Sequence, residues 1–244
     1  ENNRVFIIDQ RWLPHKFKIV ELATINDFAI SIKDMWVRGA PLIGVTAAFG
    51  FAKSMEHDNS DKFLEEIKAI LLSTRPTAVN LHWAVKIMYE LLINADQDTR
   101  SEIALSKAKD ILKRDIQSNN QIGKNGYQII KNIIDKKNND KINILTHCNA
   151  GWLATVDWGT ATSPIYYAKE KGVNIHVFVD ETRPRNQGAQ LTTWELSHND
   201  ISHDLIVDNA GGHLMQHKEI DLVLVGSDRT SSNGDVCNKI GTYL

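Results

Sequence analysis

The chain has 244 residues, of which 42% are hydrophobic and 24% are charged, as expected for one large globular domain or two small ones. Its formal net charge of −2 provides no overall attraction to nucleic acid or to a membrane surface, and no apolar run approaches the ~20 residues that span a bilayer. The two cysteines do not form a disulfide framework, so we expect a protein of the reducing cytoplasm.

The N-terminal part is predicted to be mainly helical. Short strands are predicted over 5–9 and 17–22, and helical periodicity then continues from 25 to 135. Two predicted helices begin near 25 and at Pro41. Four more are predicted over 63–72, 78–93, 101–116 and 122–134. The polar stretch 136–140 predicts a boundary between a helical domain with short strands at its start, residues 1–138, and a second domain, residues 139–244.

Strands and helices alternate in the second domain. Strands are predicted at 142–147, 174–180, 204–208 and 221–226, and helices at 157–171, 188–199, 211–218 and from 235 onward. Such alternation is typical of βαβ units with right-handed crossovers. The sequence therefore predicts an α/β fold, in which a mainly helical N-terminal domain precedes a parallel-sheet domain.

A thiol and a carboxylate follow two of these strands. The run Thr146-His147-Cys148-Asn149-Ala150-Gly151 ends the strand at 142–147, and Gly226-Ser227-Asp228-Arg229 ends the strand at 221–226. Open α/β sheets bind ligands at the carboxyl ends of their strands, so this pair suits acid–base or nucleophilic chemistry on a small molecule. The alternative for Cys148 is a buried structural cysteine. His147 is expected to pack elsewhere, because adjacent strand residues point to opposite faces.

Two arginines precede helices in the first domain. They lie in Arg38-Gly39-Ala40-Pro41 and in Arg75-Pro76-Thr77-Ala78, where the proline is predicted to open the helix. Backbone N–H groups at a helix start bind anions, and arginine adds a bidentate donor, so both are candidates for a phosphate site. A capped helix beside a solvated arginine is the alternative.

Further polar residues follow the other strands. In the loop after 174–180, Asp180 and Glu181 are expected to pair with Arg183 and Arg185 and order the loop, which leaves Gln187 available to a ligand hydroxyl.

Asp235 is predicted to cap a last helix, whose first turn would hold Asn238 and Lys239. His147, Cys148, His213 and His217 lack convincing ligand spacing, so no metal site is predicted.

Taken together, five motifs resemble the 5-methylthioribose-1-phosphate isomerases, a family within the superfamily of translation initiation factor 2B regulatory subunits. They are, in chain order, Val37-Arg38-Gly39-Ala40-Pro41, Arg75-Pro76-Thr77-Ala78-Val79-Asn80-Leu81, His147-Cys148-Asn149-Ala150-Gly151, Asp180-Glu181-Thr182-Arg183-Pro184 with Gln187-Gly188, and Asn233-Gly234-Asp235-Val236 with Asn238-Lys239-Ile240-Gly241-Thr242-Tyr243. The resemblance covers nearly the whole chain, with the motifs in order.

The resemblance implies an aldose–ketose isomerase of methionine salvage, which converts 5-methylthioribose 1-phosphate to 5-methylthioribulose 1-phosphate. It implies a Rossmann-like second domain, a cytoplasmic homodimer, a small sugar phosphate as substrate, and no metal or organic cofactor. It places catalysis on Cys148 and Asp228. It places substrate binding on Arg38, Gly39, Ala40, Arg75, Gln187, Asn238 and Lys239.

The chain departs from this family at Trp152, where a small residue is usual and where a ring in the pocket would reshape the space for a methylthio group. The family continues past Leu244, so the C-terminal part of the second domain is expected to be missing. Two alternatives remain open. One is an isomerase of another sugar phosphate, such as 5-deoxyribose 1-phosphate or ribose 1,5-bisphosphate. The other is a non-catalytic regulatory protein, against which the presence of both Cys148 and Asp228 argues.

Overall fold

A computed structural model describes residues 4–137 and 141–243 of the chain. Its contacts divide the chain into two compact units, Glu1–Ile116 and Gln117–Leu244. The division falls inside one long helix, whereas the predicted boundary at 138/139 lies outside the described residues. Within the described ranges, no helix combines the length and the apolar character that crossing a membrane requires.

The first unit consists of a small hairpin and a group of helices. Strands β1 and β2 pair antiparallel, and α2 packs against α1 and α4. α2 is apolar nearly all round and buries most of its residues, as expected for a central helix. The elements are β1 Val5–Ile8, β2 Ile19–Leu22, α1 Ile25–Lys33, α2 Ala40–Ser54, α3 Asp61–Thr74, α4 Val79–Ile93 and α5 Arg100–Lys137, with 3-10 turns at Gln10–Trp12 and Gln97–Thr99.

Two predictions for this half of the chain need correction. The helices predicted at 101–116 and 122–134 form the single helix α5, because the polar residues 117–121 between them include no proline or glycine to break it. Pro76 does not open α4. It lies in a turn closed by a hydrogen bond from the Ala78 amide to the Arg75 carbonyl (3.0 Å), and the helix begins at Val79.

The second unit is built on a four-stranded parallel sheet with the strand order β5-β4-β3-β6. β3 is central, and its Ile142 and Ile144 are fully buried, each contributing about 1.5–3 kcal/mol through burial. The strands are β3 Lys141–Thr146, β4 Asn174–Asp180, β5 Ser202–Ile206 and β6 Leu222–Val223. The helices are α6 Ser163–Glu170, α7 Thr193–His198 and α8 Gly211–Gln216, with a π-helical turn at Gly188–Thr192 and a 3-10 turn at Trp152–Ala154.

The alternating pattern of the second unit is confirmed, with two exceptions. The helix predicted over 157–171 begins only at Ser163, because Trp158 and Gly159 adopt positive φ angles of 68° and 75° that a helix excludes. The helix predicted from 235 onward is wrong. β7 Arg229–Thr230 and β8 Val236–Cys237 form an antiparallel hairpin there.

Local turn chemistry explains this hairpin. Gly234 has a φ of 90°, its amide donates to the Ser231 carbonyl (3.0 Å), and the Ser231 amide donates to the Asp235 carbonyl (2.9 Å). Asp235 is therefore a turn residue and not a helix cap. Asn238 and Lys239 follow β8 and do not lie in a helical first turn.

Candidate active site

The strand order reverses between β3 and β6. From β3 the chain proceeds outward through β4 and β5, and it then returns to place β6 on the other side of β3. Ligands of open α/β sheets bind in the crevice at such a reversal, beyond the carboxyl ends of the strands. Cys148 follows β3 and Asp228 follows β6, so the fold places the predicted catalytic residues after the two strands that flank the reversal.

Cys148 adopts a φ of 68°, a left-handed conformation that is unfavourable for a residue with a Cβ. Two threonine hydroxyls hold its backbone on both sides. The Cys148 amide donates to Oγ1 of Thr182 (2.7 Å), and Oγ1 of Thr192 donates to the Cys148 carbonyl (2.6 Å). Such strained residues cost about 1–3 kcal/mol and cluster at functional sites. Cys148 is half-buried, whereas the second cysteine, Cys237, is exposed.

The loop after Cys148 closes onto Glu195 of α7, a fully buried acid. Its Oε1 accepts from Nδ2 of Asn149 and from the Leu153 amide, both at 2.9 Å. Its Oε2 accepts from the Trp152 amide (3.0 Å) and from the Tyr166 hydroxyl (2.8 Å). Burial raises the pKa of Glu195, while these donors oppose the rise by stabilising the carboxylate. Glu195 is not among the predicted site residues, and its one signal in the sequence is that of a single acid between Trp194 and Leu196.

Gly151 is required by the same contact. A Cβ at this position would lie 1.9 Å from Oε2 of Glu195, far inside any van der Waals distance. The glycine of the Cys-Asn-Ala-Gly motif therefore lets the loop approach the carboxylate.

The Trp152 amide bonds to Glu195, and the Trp152 side chain packs against other residues of the second unit. Its ring lies 5.7 Å from that of Trp194, centroid to centroid, and against the apolar core of the second unit.

His147 is buried, with 2% of its surface exposed, and it contacts two other segments. Its Nδ1 lies 2.9 Å from Oδ2 of Asp180, and its Nε2 donates to the Ile240 carbonyl (2.9 Å). Asp180 thus pairs with His147, and the expected pairing of Asp180 with Arg183 and Arg185 is wrong. The arginine-bearing loop is instead ordered by Asp208, whose carboxylate accepts from the Thr182 amide (2.6 Å) and the Arg183 amide (2.7 Å).

Hydrogen bonding also sets the protonation of this pair. Burial acts to lower the pKa of His147, but its hydrogen bonds to Asp180 and Ile240 and the negative charges of Asp180 and Asp208 outweigh burial, so the pKa is raised. Burial raises the pKa of Asp180 as well, against the stabilising effect of His147. Because a carbonyl oxygen can only accept, Nε2 carries a proton, and Nδ1 donates to Asp180 when the imidazole is protonated.

His147, Asp180 and Asp208 form a group whose ligand atoms lie within 4.8 Å of one another, as in a metal site. Spacing along the chain does not reveal this group, because its members lie at the carboxyl ends of three different strands. The atoms already bond to each other and to backbone amides, and only Oδ1 of Asp180 is buried without a hydrogen-bond partner among the described residues. This arrangement is a hydrogen-bond network that joins the strand ends and does not present an open coordination shell.

The segment between β6 and β7, which contains Asp228, approaches the loop after Cys148 at Gly226. A Cβ on Gly226 would lie 3.1 Å from Cβ of Ala150 and 4.0 Å from Oδ1 of Asn238. Gly226, two residues before Asp228, therefore lies close to Ala150, two residues after Cys148, and to Asn238. Asp228 itself is exposed, and its amide donates to the Cys237 carbonyl (2.9 Å) in the hairpin.

Gln187 and Lys239 are both half-buried in this unit. Gly188 packs so closely on the end of β4 that a Cβ would lie 1.7 Å from the Asp180 carbonyl oxygen, which fixes the neighbouring Gln187. Oε1 of Gln187 is buried and has no hydrogen-bond partner in the ranges described. An unpaired buried amide oxygen is a suitable acceptor for a ligand hydroxyl.

The remaining predicted site residues belong to the first unit. Gly39 is the N-cap of α2 with a φ of 95°, a conformation that favours glycine, and α2 begins at Ala40, one residue before the predicted start at Pro41. Arg38 and Arg75 are half-buried. A Cβ on Gly44 would lie 3.1 Å from the carbonyl oxygen of Asn80, so the first turns of α2 and α4 lie side by side. Two adjacent helix N-termini favour an anion.

A parallel sheet with a thiol and a carboxylate after the strands of its reversal defines an α/β protein whose strand ends suit the binding of a small molecule. Residues 36–244 match the Initiation factor 2 subunit family, and the chain belongs to that family.

The relatives include both enzymes and initiation factors. The chain is 60% identical over 244 residues to the methylthioribose-1-phosphate isomerase of Cereibacter sphaeroides, covering 100% of this chain and 67% of that protein. A crystal structure of 5-methylthioribose 1-phosphate isomerase from Pyrococcus horikoshii OT3 matches with a TM-score of 0.90 at 39% identity, covering 100% of this chain and 68% of that one. The translation initiation factor eIF-2B subunit delta from A. fulgidus matches with a TM-score of 0.81 at 36% identity, covering 98% and 69% respectively.

Proposed function

We propose that this chain carries the catalytic site of an aldose–ketose isomerase that converts 5-methylthioribose 1-phosphate to 5-methylthioribulose 1-phosphate in methionine salvage. The observation that carries the proposal is the placement of Cys148 and Asp228 after the two strands of the sheet reversal. The 60% identity to a methylthioribose-1-phosphate isomerase supports the same reaction.

The chemistry follows from the phosphate on O1. With O1 esterified, the sugar ring does not open by loss of a hemiacetal proton, so an acid must protonate the ring oxygen as the bond to C1 breaks. Asp228 supplies that proton in our assignment. Asp228 is exposed in this structure, so bound substrate must exclude water from it for the proton to pass directly to the ring oxygen.

Two routes then complete the isomerisation. In the first, the Cys148 thiolate takes the C2 proton and an enol forms, after which C1 receives a proton and the C2 hydroxyl loses one to give the ketone. In the second, hydride moves from C2 to C1, the C2 hydroxyl loses its proton, and Cys148 stabilises the transition state. Both routes balance without an external oxidant or reductant, and the proposal assigns no metal or organic cofactor.

Seven residues are the proposed substrate-binding residues, four of them in the first unit and three in the second. In the first unit these are Arg38, Gly39, Ala40 and Arg75. The adjacent N-termini of α2 and α4 in this unit suit a phosphate. In the second unit they are Gln187, Asn238 and Lys239. Gln187 offers an unpaired oxygen to a sugar hydroxyl, and Lys239 adds a cation. We also propose that the enzyme acts in the cytoplasm as a homodimer.

A non-catalytic regulatory role is the second candidate, favoured by the 36% identity to an initiation factor subunit. Turnover distinguishes the two. Purified protein is supplied with 5-methylthioribose 1-phosphate, 5-deoxyribose 1-phosphate or ribose 1,5-bisphosphate, and ketose is detected by NMR. Preference for the first compound supports the proposal, and preference for another keeps the chemistry but changes the substrate. Folded protein that turns over none of them supports the regulatory role.

A further inference from the structure

Glu195 is a fully buried acid that the proposed chemistry does not use. It contacts the loop that follows Cys148, residues 149–153. It receives four hydrogen bonds, two on each carboxylate oxygen. Three of the four donors belong to the loop that follows Cys148, namely Nδ2 of Asn149 and the amides of Trp152 and Leu153. The fourth is the Tyr166 hydroxyl of α6.

Only a carboxylate satisfies this set of donors. Each oxygen faces two hydrogens, so a glutamine amide would direct its own N–H groups at two of the donors. The loop would lose two hydrogen bonds with the NH2 group at the Oε1 position, and the Trp152 bond with the NH2 group at the Oε2 position. The approach is also too close for any side chain at Gly151, whose Cβ would lie 1.9 Å from Oε2. The sequence thus matches a glycine in the loop to an acid in α7.

The same segment also holds the other side of the cysteine. Thr192, three residues before Glu195, donates to the Cys148 carbonyl at 2.6 Å and lies 3.3 Å from Nδ2 of Asn149. Cys148 keeps a φ of 68°, which an L-residue retains only when its surroundings fix it. The bonds that fix it come from Thr182 before β5 and from the Thr192–Glu195 segment.

We propose that Glu195 is a positioning residue, which fixes the direction of the Cys148 thiol by anchoring residues 149–153 to α7. The inference rests on the proposed function insofar as it concerns turnover. A purely structural role would instead make Glu195 a buried group whose loss lowers stability and leaves the thiol of the folded protein unchanged.

The test compares Glu195→Gln with Tyr166→Phe, both in a Cys237→Ser background that leaves Cys148 as the single thiol. Tyr166→Phe is the matched control because it removes one hydrogen bond to the same carboxylate without touching the loop. Unfolding by denaturant gives the stability of each variant. Turnover gives kcat and KM, and the rate of alkylation by iodoacetamide across pH reports the environment of the thiol.

We expect Glu195→Gln to lower kcat about 10- to 100-fold with KM changed less than about threefold, since a displacement near 1 Å costs about that much. Its alkylation profile should approach that of the exposed Cys237, measured in Cys148→Ser. Tyr166→Phe should lose stability but keep kcat and the alkylation profile of its parent. A folded Glu195→Gln protein with the parent's kcat and profile overturns the proposal.

A second variant serves if Glu195→Gln does not fold. Asn149→Ala removes one loop donor and leaves the carboxylate with three. A shifted alkylation profile in Asn149→Ala supports the proposal, and an unchanged profile overturns it. Alkylation needs no sugar phosphate, so absence of turnover in the parent protein would count against the proposed function while the thiol profile still decides the role of Glu195.

Discussion

Nδ1 of His147 and Oδ2 of Asp180 lie 2.9 Å apart in the interior of the second unit and join the ends of β3 and β4. The other ring nitrogen of His147 donates to the Ile240 carbonyl, next to Lys239. One imidazole therefore connects the strand that carries Cys148 to the segment that carries two predicted substrate-binding residues.

This pair predicts a pH dependence of stability. The pKa of His147 is raised above its ordinary value near 6.5, so protonated His147 favours the folded state. The stabilisation is fully present below pH 6.5 and is lost as the pH rises through the folded-state pKa. The raised pKa of Asp180 acts in the same direction, starting from its ordinary value near 3.8. We expect the free energy of unfolding, measured by urea denaturation, to fall as the pH rises above 6.5.

The control for this prediction is the exposed His217. His147→Asn should flatten the fall above pH 6.5 and lower stability at pH 6 by about 1–3 kcal/mol, because it breaks buried hydrogen bonds. His217→Gln should keep the slope of the parent protein. Equal slopes in the parent and in His147→Asn would assign the pH dependence to other groups.

Gly151→Ala should destabilise the second unit more than most single substitutions do. The new Cβ would overlap Oε2 of Glu195, and either the loop or the acid must move and lose hydrogen bonds, at a cost of about 2–4 kcal/mol. Gly212→Ala is the matched control, because no atom lies within 4 Å of its Cβ position in α8 and alanine favours helix. Thermal unfolding of both variants checks this. A Tm for Gly151→Ala that equals that of Gly212→Ala would refute the packing argument.

The sequence was sufficient where a pattern is local or repeats. Alternating strands and helices predicted the parallel sheet, and the carboxyl ends of β3 and β6 could be located from their apolar runs. It was insufficient where a contact joins distant segments. Asp180 pairs with His147, which is 33 positions away, and not with the arginines beside it. Glu195 accepts hydrogen bonds from Asn149, Trp152 and Leu153, which lie 42–46 positions before it in the chain. No spacing rule connects these residues. The false helix after 235 arose because Asn233-Gly234-Asp235 suits both a helix start and a hairpin turn.

The two cysteines provide a paired test of the nucleophile or base. Cys148→Ser should reduce kcat by about 100-fold or more, since a serine hydroxyl is not ionised at neutral pH. Cys237→Ser should leave kcat within about twofold, because Cys237 is exposed on the β7–β8 hairpin. Turnover monitored by NMR decides. A Cys148→Ser protein that retains the parent's kcat removes the thiol from the mechanism.

The role of Asp228 as the acid can be tested by comparing it with Asp235, a second acid near the β7–β8 hairpin. Asp228→Asn should reduce kcat by about 100- to 10 000-fold with little change in stability, because it removes a general acid from an exposed position. Asp235→Asn changes an equally exposed acid in the turn between β7 and β8 and should keep kcat within about threefold. Similar losses in both variants would point to the charge or fold of the hairpin and not to proton donation by Asp228.

Isotope transfer separates the two routes after ring opening. If the Cys148 thiolate removes the C2 proton and that proton exchanges with solvent, turnover in deuterated water places deuterium at C1 of the ketose. A direct hydride shift carries the C2 hydrogen to C1 and leaves C1 unlabelled. We expect label at C1, because the half-buried Cys148 lies after a strand end, where the protonated thiol can exchange with water before the bound enol is protonated at C1. Substrate deuterated at C2 gives the complementary measurement. Complete retention of that deuterium at C1, with no uptake from solvent, would contradict the expected exchange and would leave two routes, a hydride shift or a proton transfer by Cys148 that is faster than exchange.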